Sequence, residues 1–152
     1  MKKILAAIYI LLMLGVAGCS KSPVETKPAE ATKFPEPNWK ADETGKYPAT
    51  MTAIFGLPVT LTGSSQENDK YAAFINDECR GVGVIVKVND QNLFFVLIQG
   101  LPEETNNIII KYYSNKTSYM YQSQATLTFL ADGNYGTAEN PKIVEQIGRA
   151  HV

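Results

Sequence analysis

The chain has 152 residues, with 14 basic and 15 acidic side chains, and 45 % of its residues are hydrophobic. The length suits one domain with a modest core, and the near-neutral charge without a basic cluster argues against a nucleic-acid partner.

The N-terminus has the layout of an export signal. A positive start at Lys2 and Lys3 is followed by an almost unbroken apolar run over residues 4–14, and small residues stand directly before Cys19. The apolar run is too short and wrongly flanked for a permanent membrane span. We therefore predict that residues 1–18 are a signal peptide, and removing them leaves a net charge of about −3.

The last four residues of this segment, Val16-Ala17-Gly18-Cys19, resemble a lipobox, the cleavage and acylation site of bacterial lipoproteins. The resemblance implies that Cys19 becomes the lipid-bearing first residue, which makes the membrane a partner through that lipid. It also implies anchoring at the outer membrane, on its periplasmic or its cell-surface face. An ordinary signal peptide with an incidental cysteine is the alternative. Acylation of Cys19 leaves Cys79 without an intrachain disulfide partner.

Residues 19–48 have the composition of a proline-rich linker. They contain five prolines, scattered Lys and Glu, and few large apolar side chains, so they cannot form a core of their own. Phe34, Trp39 and Tyr47 are the exceptions. We interpret them as docking the second half of the linker onto the domain that follows, and an exposed aromatic ligand patch is the alternative.

From residue 49 onwards, short extended segments alternate with turn residues. Residues 79–88 alternate strictly, with Val82, Val84, Val86 and Val88 on one side and Gly83, Ile85 and Lys87 on the other, as in a half-buried sheet. Residues 93–98 are apolar on both faces, which predicts a central strand covered from both sides. The other predicted strands span 51–57, 70–75, 108–113, 117–122, 125–130 (with Ala125 inward) and an extended piece through 141–144.

Seven or eight short strands at this spacing predict an all-β fold without helices. We expect a single antiparallel immunoglobulin-like β-sandwich over residues 49–146.

One phrase in the domain carries a family resemblance. Ala72-Ala73-Phe74-Ile75-Asn76-Asp77-Glu78-Cys79-Arg80-Gly81-Val82 resembles the phrase "AAFVGDECRGVA" of a repeated β-sandwich domain of Bacteroidetes extracellular proteins. Lys111-Tyr112-Tyr113, Tyr135-Gly136 and Asn140-Pro141 match later features of that domain. The resemblance implies a sandwich on a secreted or surface protein, and it implies no defined activity.

Within this phrase, Asp77, Glu78 and Arg80 are candidate ligand-binding residues. Carboxylates in a turn accept backbone N–H groups, and an arginine can fork onto carboxylates or carbonyls. A structural corner and a shallow polar site that grips a ligand are both open interpretations.

Small residues around Arg80 also carry predictions. Gly81 and Gly83 would let another backbone or a large ring approach the strand closely. Cys79 is expected to be a small buried filler rather than a reactive thiol.

Tyrosine side chains form a second candidate binding site. Tyr119 and Tyr121 are expected to project from the same side of one strand, and Tyr113 on a neighbouring strand would add a third ring. Aromatic rings stack on sugars and pack into protein interfaces equally well. Filling of the core by these rings is the alternative.

The sequence favours no catalytic site, cofactor or metal. The only histidine is His151, and Cys79 alone cannot form a zinc site. Glu103 and Glu104 are an adjacent carboxylate pair, but they fall in a predicted loop. We therefore predict that the protein is not an enzyme.

Residues 147–152, Ile-Gly-Arg-Ala-His-Val, match the translation of a string that resembles a common sequencing-library adapter. We interpret them as an adapter-derived tail, and a natural tail is the alternative. The adapter interpretation would leave the native segment without a histidine.

Two functions are compatible with this sequence. The first is a membrane-anchored extracytoplasmic binding module that recognises glycan or protein at the cell envelope. The second is a structural or adhesive spacer or assembly domain with no small-molecule ligand. An exposed, coplanar trio of tyrosines favours glycan binding, and an unpaired, uncharged edge strand favours assembly.

Overall fold

A computed structural model of the chain describes residues 32–123 and 125–144, and the backbone of residues 147–149. The predicted signal peptide, the lipidation site Cys19 and the first part of the linker lie outside the described residues.

The regular secondary structure of the described chain is almost entirely β-strand, so the predicted all-β class is confirmed. The strands are β1 Ala49–Gly56, β2 Lys70–Ile75, β3 Glu78–Val88, β4 Gln91–Gly100, β5 Asn107–Ser114, β6 Tyr119–Ser123, β7 Leu127–Thr128, β8 Asn134–Tyr135, β9 Lys142–Ile143 and β10 Ile147–Arg149. One helical turn, α1 Val59–Thr62, follows β1.

Three details of the prediction were wrong. The chain is not free of helix, because the carbonyl of Pro58 accepts the N–H groups of Leu61 and Thr62 and closes one turn. The strands exceed seven or eight, because β7, β8 and β9 are two-residue pairings that no hydrophobic period reveals. Only Leu127–Thr128 of the predicted strand over 125–130 is extended and paired, and Ala125 is exposed instead of inward.

The strands pair in the order β10-β6-β5-β2-β3-β4-β1-β8, with β7 on β5 and β9 on β1. The pairs are antiparallel, except that β8 and β9 run parallel to β1. β3 belongs to two sheets, because its first part pairs with β2 and residues 83–88 pair with β4. We call β1, β4 and residues 83–88 sheet A, and β2, the first part of β3, β5 and β6 sheet B.

The core lies between the two sheets, as in a β-sandwich. Inward side chains come from alternate positions, such as Phe55, Phe94 and Ile98 in sheet A and Tyr71 and Tyr112 in sheet B. The rings of Tyr71 and Phe94 stack across the layers with centroids 4.5 Å apart. The immunoglobulin-like subtype stays a prediction.

β3 changes sheets at a pair of glycines. A Cβ on Gly81 would lie 2.4 Å from the carbonyl oxygen of Leu97, and one on Gly83 would lie 3.1 Å from the Cβ of Tyr71. The expected close approach of another backbone is therefore confirmed, whereas at Gly83 the nearest atoms of Tyr71 are its Cβ and carbonyl oxygen rather than its ring.

Residues 32–47, which we call the strap, lie against the outer face of sheet B. The amide of Phe34 donates to the carbonyl of Ser118 at 2.8 Å, and the ring of Trp39 meets Phe74 edge-on with centroids 5.5 Å apart. Phe74 points away from the core, because its neighbours in β2 point into it. The second half of the linker therefore docks on the domain, as predicted.

β10 pairs antiparallel with β6 and coincides with the first residues of the predicted adapter-derived tail, whose origin stays a prediction. In the part of the chain that the structure describes, no helix has the length and apolar character needed to span a membrane.

Candidate interaction surface

Asp77 sits in the turn that joins β2 to β3. Asn76 and Asp77 have φ values of 50° and 60°, which is the conformation of a two-residue type I′ hairpin turn. The Asp77 side chain is exposed, and its Oδ1 lies 3.8 Å from the Nζ of Lys111. Asp77 therefore closes a hairpin and pairs with Lys111 of β5.

Arg80 is buried at a bulge of β3. Phe74 pairs with Cys79 and Ala73 pairs with Gly81, so Arg80 has no residue opposite it in β2. A bulge of this kind redirects a side chain. Arg80 is only 4 % exposed, and its Cζ lies 3.3 Å from the centroid of the Tyr47 ring, which belongs to the strap.

Two carboxylates flank the guanidinium of Arg80. Oε2 of Glu78 lies 3.5 Å from Nη2, and Oε2 of Glu104 lies 3.5 Å from Nη1. Glu78 also accepts hydrogen bonds from the hydroxyl of Tyr47 and, at 2.7 Å, from the Nζ of Lys46. These contacts join the strap, the start of β3 and the loop before β5.

The opposite charges of this cluster are paired, while the buried Nε of Arg80 has no hydrogen-bond partner among the described residues. Hydrogen bonds from Lys46 and Tyr47 lower the pKa of Glu78. A hydrogen bond from the side chain of Asn106 lowers the pKa of Glu104, and the charge of Arg80 lowers it further. Both carboxylates are thus ionised at neutral pH and neutralise Arg80. These contacts are those expected of a structural corner, and ligand binding by Asp77, Glu78 and Arg80 stays a prediction.

Cys79 lies half-buried beside this cluster. Its Sγ is 3.8 Å from the carbonyl oxygen of Gly81, and burial raises the pKa of its thiol. The environment is that of a filler rather than of an activated nucleophile.

The three predicted tyrosines do not share a face. Tyr119 and Tyr121 project from one side of β6 as expected, but Tyr112, and not Tyr113, lies opposite Tyr121. The Tyr121 ring packs 5.6 Å from that of Tyr112 at the edge of the core. Tyr113 is buried on the other side, where its hydroxyl donates to a strap carbonyl at 3.4 Å. The expected trio is therefore wrong, because successive residues of a strand point to opposite faces.

An apolar surface lies instead on the outer face of sheet A. Val84 is 65 % exposed and Leu97 is 55 % exposed. Half-buried Phe95 pairs with Val84 on one side and with Ile54 on the other, so the surface crosses three strands. We define the apolar face as Val82, Val84 and Val86 of β3, Phe95 and Leu97 of β4, and Ile54 of β1.

This face corrects the expectation that residues 93–98 form a strand covered from both sides. The inner side chains of β4 are buried, but Leu97 is open to solvent. In residues 50–54, 82–88 and 91–99, every side chain at the alternate positions that point to this face is uncharged. The alternation in β3 put the valines on one side of the strand, but it did not show that this side faces the solvent. Gly81 and Gly83 were the available signal for the buried side, since other groups approach the strand closely there, and the valines lie on the opposite side.

A small polar cavity lies at one end of sheet A. It has a volume of about 240 Å³ and lies between the loop after α1 and the β3–β4 turn. The lining residues are Thr62, Ser65, Gln66, Glu67, Lys87, Asp90, Gln91 and Asn92.

The described residues contain no group of three or more His, Cys, Asp or Glu side chains placed to hold a metal ion.

Comparison of the chain with protein-family models gave no match, and neither did comparison with curated proteins or with solved structures. The resemblance to the Bacteroidetes sandwich domain therefore stays a prediction that rests on the residues quoted for it.

Proposed function

We propose that this chain is a lipid-anchored binding module of the bacterial cell envelope and that it recognises a protein through the apolar face. The anchor is supported by the export-signal layout and the lipobox-like residues that end at Cys19. The observation that carries the binding role is the exposed apolar face itself. Monomeric soluble proteins rarely expose a contiguous apolar patch of more than about a few hundred Å², and such patches mark sites of interaction.

The chemistry of the face favours a protein over a sugar. Its most exposed members, Val84 and Leu97, are aliphatic, whereas sugars stack on aromatic rings.

The proposal places the protein at the outer membrane, on its periplasmic or its cell-surface face. It assigns binding rather than catalysis, and neither a cofactor nor nucleic acid enters it. The resemblance to a repeated sandwich domain of surface proteins supports the same location.

The anchor is tested by metabolic labelling. The full-length chain, expressed in a bacterial host with labelled palmitate, should incorporate label and fractionate with the outer membrane. Cys19→Ser should abolish the labelling, whereas Cys79→Ser should retain it. An unlabelled wild-type protein would refute the anchor.

The binding role is tested by photo-crosslinking in intact cells of the native host. Benzoylphenylalanine at position 84 or 97 should give a discrete protein adduct on irradiation. The control position is Val59, which is 86 % exposed and lies outside the apolar face. Equal or absent adduct formation at positions 84, 97 and 59 would refute a protein partner at this face.

The polar cavity favours glycan recognition as a second candidate function. Its hydroxyl, amide and charged side chains suit sugar hydroxyls, and the Nδ2 of Asn92 donates to the Oγ of Ser65 at 3.0 Å within it. A glycan array probed with the full-length chain tests this candidate. Binding that is lost in Asn92→Ala would support it, and silence across the array would eliminate it.

A further inference from the structure

We propose that the partner is a second copy of this chain, joined by antiparallel pairing of residues 83–88 of β3 in the two copies. This inference rests on the proposed function, because Val84 and Val86 belong both to the apolar face and to the strand edge that the second copy would pair. It joins the two copies of sheet A into one continuous sheet.

The evidence begins with a free sheet edge. β2 pairs with β3 only as far as Val82, and residues 83–88 then pair with β4 alone. Among the described residues, no backbone hydrogen bond joins residues 84–88 to any other strand or loop. An edge of this kind is a template for another strand.

Hairpin geometry identifies which backbone groups are free. Asn89 and Asp90 have φ values of 46° and 63° and form a type I′ turn, so the flanking residues Val88 and Gln91 are a hydrogen-bonded pair. Hydrogen bonding alternates along the strand, so residues 84, 86 and 88 bond to β4. The N–H and C=O groups of Ile85 and Lys87 therefore face the open edge.

The far side of sheet A supports this assignment. The amide of Thr52 donates to the carbonyl of Gly133, and the carbonyl of Thr50 accepts from the amide of Asp132. The backbone N–H and C=O groups of the even-numbered residues of β1 therefore face away from β4. In β4, the even-numbered residues then form the backbone hydrogen bonds to β1, and the odd-numbered residues form those to β3.

The edge lacks most of the features that prevent strand pairing. Residues 83–88, Gly-Val-Ile-Val-Lys-Val, contain no proline, and the bulge of β3 lies earlier, at Arg80. Lys87 is the one charged residue, and its Nζ lies 3.7 Å from a carboxylate oxygen of Asp90.

A second copy suits this edge because the sequence is compatible with itself. In a two-fold pairing centred on Val86, Lys87 lies opposite Ile85 of the other copy, so the two lysines do not face each other. Val86 meets Val86, and Val84 meets Val88, which are favourable β-branched cross-strand pairs. The uncharged apolar faces of the copies then lie side by side in one sheet, and their seam combines these side-chain contacts with backbone hydrogen bonds.

A cysteine cross-link tests this arrangement. In the proposed pairing Val86 is in a non-hydrogen-bonded pair, whose Cβ atoms lie about 4.5–5.5 Å apart, near the spacing of a disulfide. The full-length chain carrying Val86→Cys and Cys79→Ser should form a disulfide-linked dimer on mild oxidation in the membrane. The matched control is Val59→Cys with Cys79→Ser. Equal dimer yields from the two proteins would overturn the proposal.

A proline substitution tests the backbone contribution separately. Lys87→Pro removes an N–H that faces the open edge and leaves the hydrogen bonds to β4 in place, whereas Lys87→Thr removes the charge and keeps the N–H. Sedimentation of the full-length chain in detergent should show dimers for wild type and Lys87→Thr, and at least ~10-fold weaker dimerisation for Lys87→Pro. Equal dimerisation of the two variants would overturn the proposal. If Lys87→Pro fails to fold, the result of the cysteine cross-link decides the proposal instead.

The outcomes separate this inference from the proposed function. A photo-adduct at position 84 that contains a different protein, together with no Val86 disulfide, would keep the protein-binding function and overturn the second copy. An absence of both adduct and disulfide would overturn both.

Discussion

Arg80 joins three segments that are distant in the sequence. Its guanidinium stacks on Tyr47 of the strap and lies between Glu78 of β3 and Glu104 of the loop before β5. The side chain of Glu104 is only 4 % exposed, so loss of Arg80 would leave its charge without a cation in a nearly buried site.

We predict that Arg80→Met lowers the free energy of unfolding by about 3–5 kcal/mol, the usual cost of removing one partner of a buried ion pair. Urea denaturation followed by circular dichroism measures this change. Lys87→Met is the control, because its pair with Asp90 is exposed and should contribute less than about 1 kcal/mol. Similar losses in the two variants would show that the Arg80 cluster does not stabilise the fold.

The same cluster predicts a pH dependence. The pKa of Glu104 is lower in the folded chain than its ordinary value, so its contribution to stability is present above about pH 4.3 and is lost as the pH falls through the folded value. The melting temperature should therefore fall as the pH is lowered from 6 to 3. Glu104→Gln should show a smaller fall, and parallel curves for the two proteins would disprove the link.

At the level of elements, the crossing of β3 from sheet B to sheet A depends on Gly81. A Cβ there would clash with the backbone carbonyl of Leu97, which cannot move like a flexible side chain. We predict that Gly81→Ala costs about 1–3 kcal/mol, as overpacking does. Gly63→Ala is the control, because no atom lies within 4 Å of its Cβ position. Thermal denaturation of the two variants measures the difference, and equal stabilities would contradict the close approach.

The strap is expected to unfold together with the sandwich. Trp39 is the single tryptophan of the chain and packs on Phe74, so its fluorescence reports strap docking. The fluorescence transition in urea should coincide with the loss of β-sheet circular dichroism. A fluorescence change that precedes unfolding would mean that the strap is a separate, weaker unit.

Strong periodicity made some elements predictable. The predicted strand 70–75 matches β2, and the predicted end of β3 at Val88 is also correct. The short pairings along residues 127–143 were not predictable in this way, because two residues are too few to show a period. The polar pair Glu78 and Arg80 was found in the sequence, but the second carboxylate beside Arg80, Glu104, comes from a loop that only the fold brings near.

Which face of a strand is buried also depends on the fold. In residues 82–88 both alternating sets contain apolar side chains, and the packing of β3 against the rest of the sandwich turned the valines outwards. The same ambiguity explains why residues 93–98 were expected to be covered on both sides. An apolar strand face is thus an incomplete predictor of burial, and where it stays exposed it indicates an interaction surface.

At the level of the whole molecule, the two sheets have different outer faces. The strap lies against the outer face of sheet B and contributes Phe34, Trp39 and Tyr47 to the packing. On the outer face of sheet A, Val84 and Leu97 are exposed to solvent. They lie next to residues 83–88 of β3, which pair with β4 on one side and have a free edge on the other. We infer that this exposed side of the molecule is where the protein meets its partner.

Residue-resolved amide hydrogen exchange of the full-length chain, at low and high protein concentration, tests this claim most directly. The amides of Val84 and Val86 should exchange slowly at both concentrations, because they bond to β4. The amides of Ile85 and Lys87 should exchange rapidly in dilute protein and become protected as the concentration rises. Slow exchange of Ile85 and Lys87 in dilute protein, or rapid exchange at every concentration, would contradict the account.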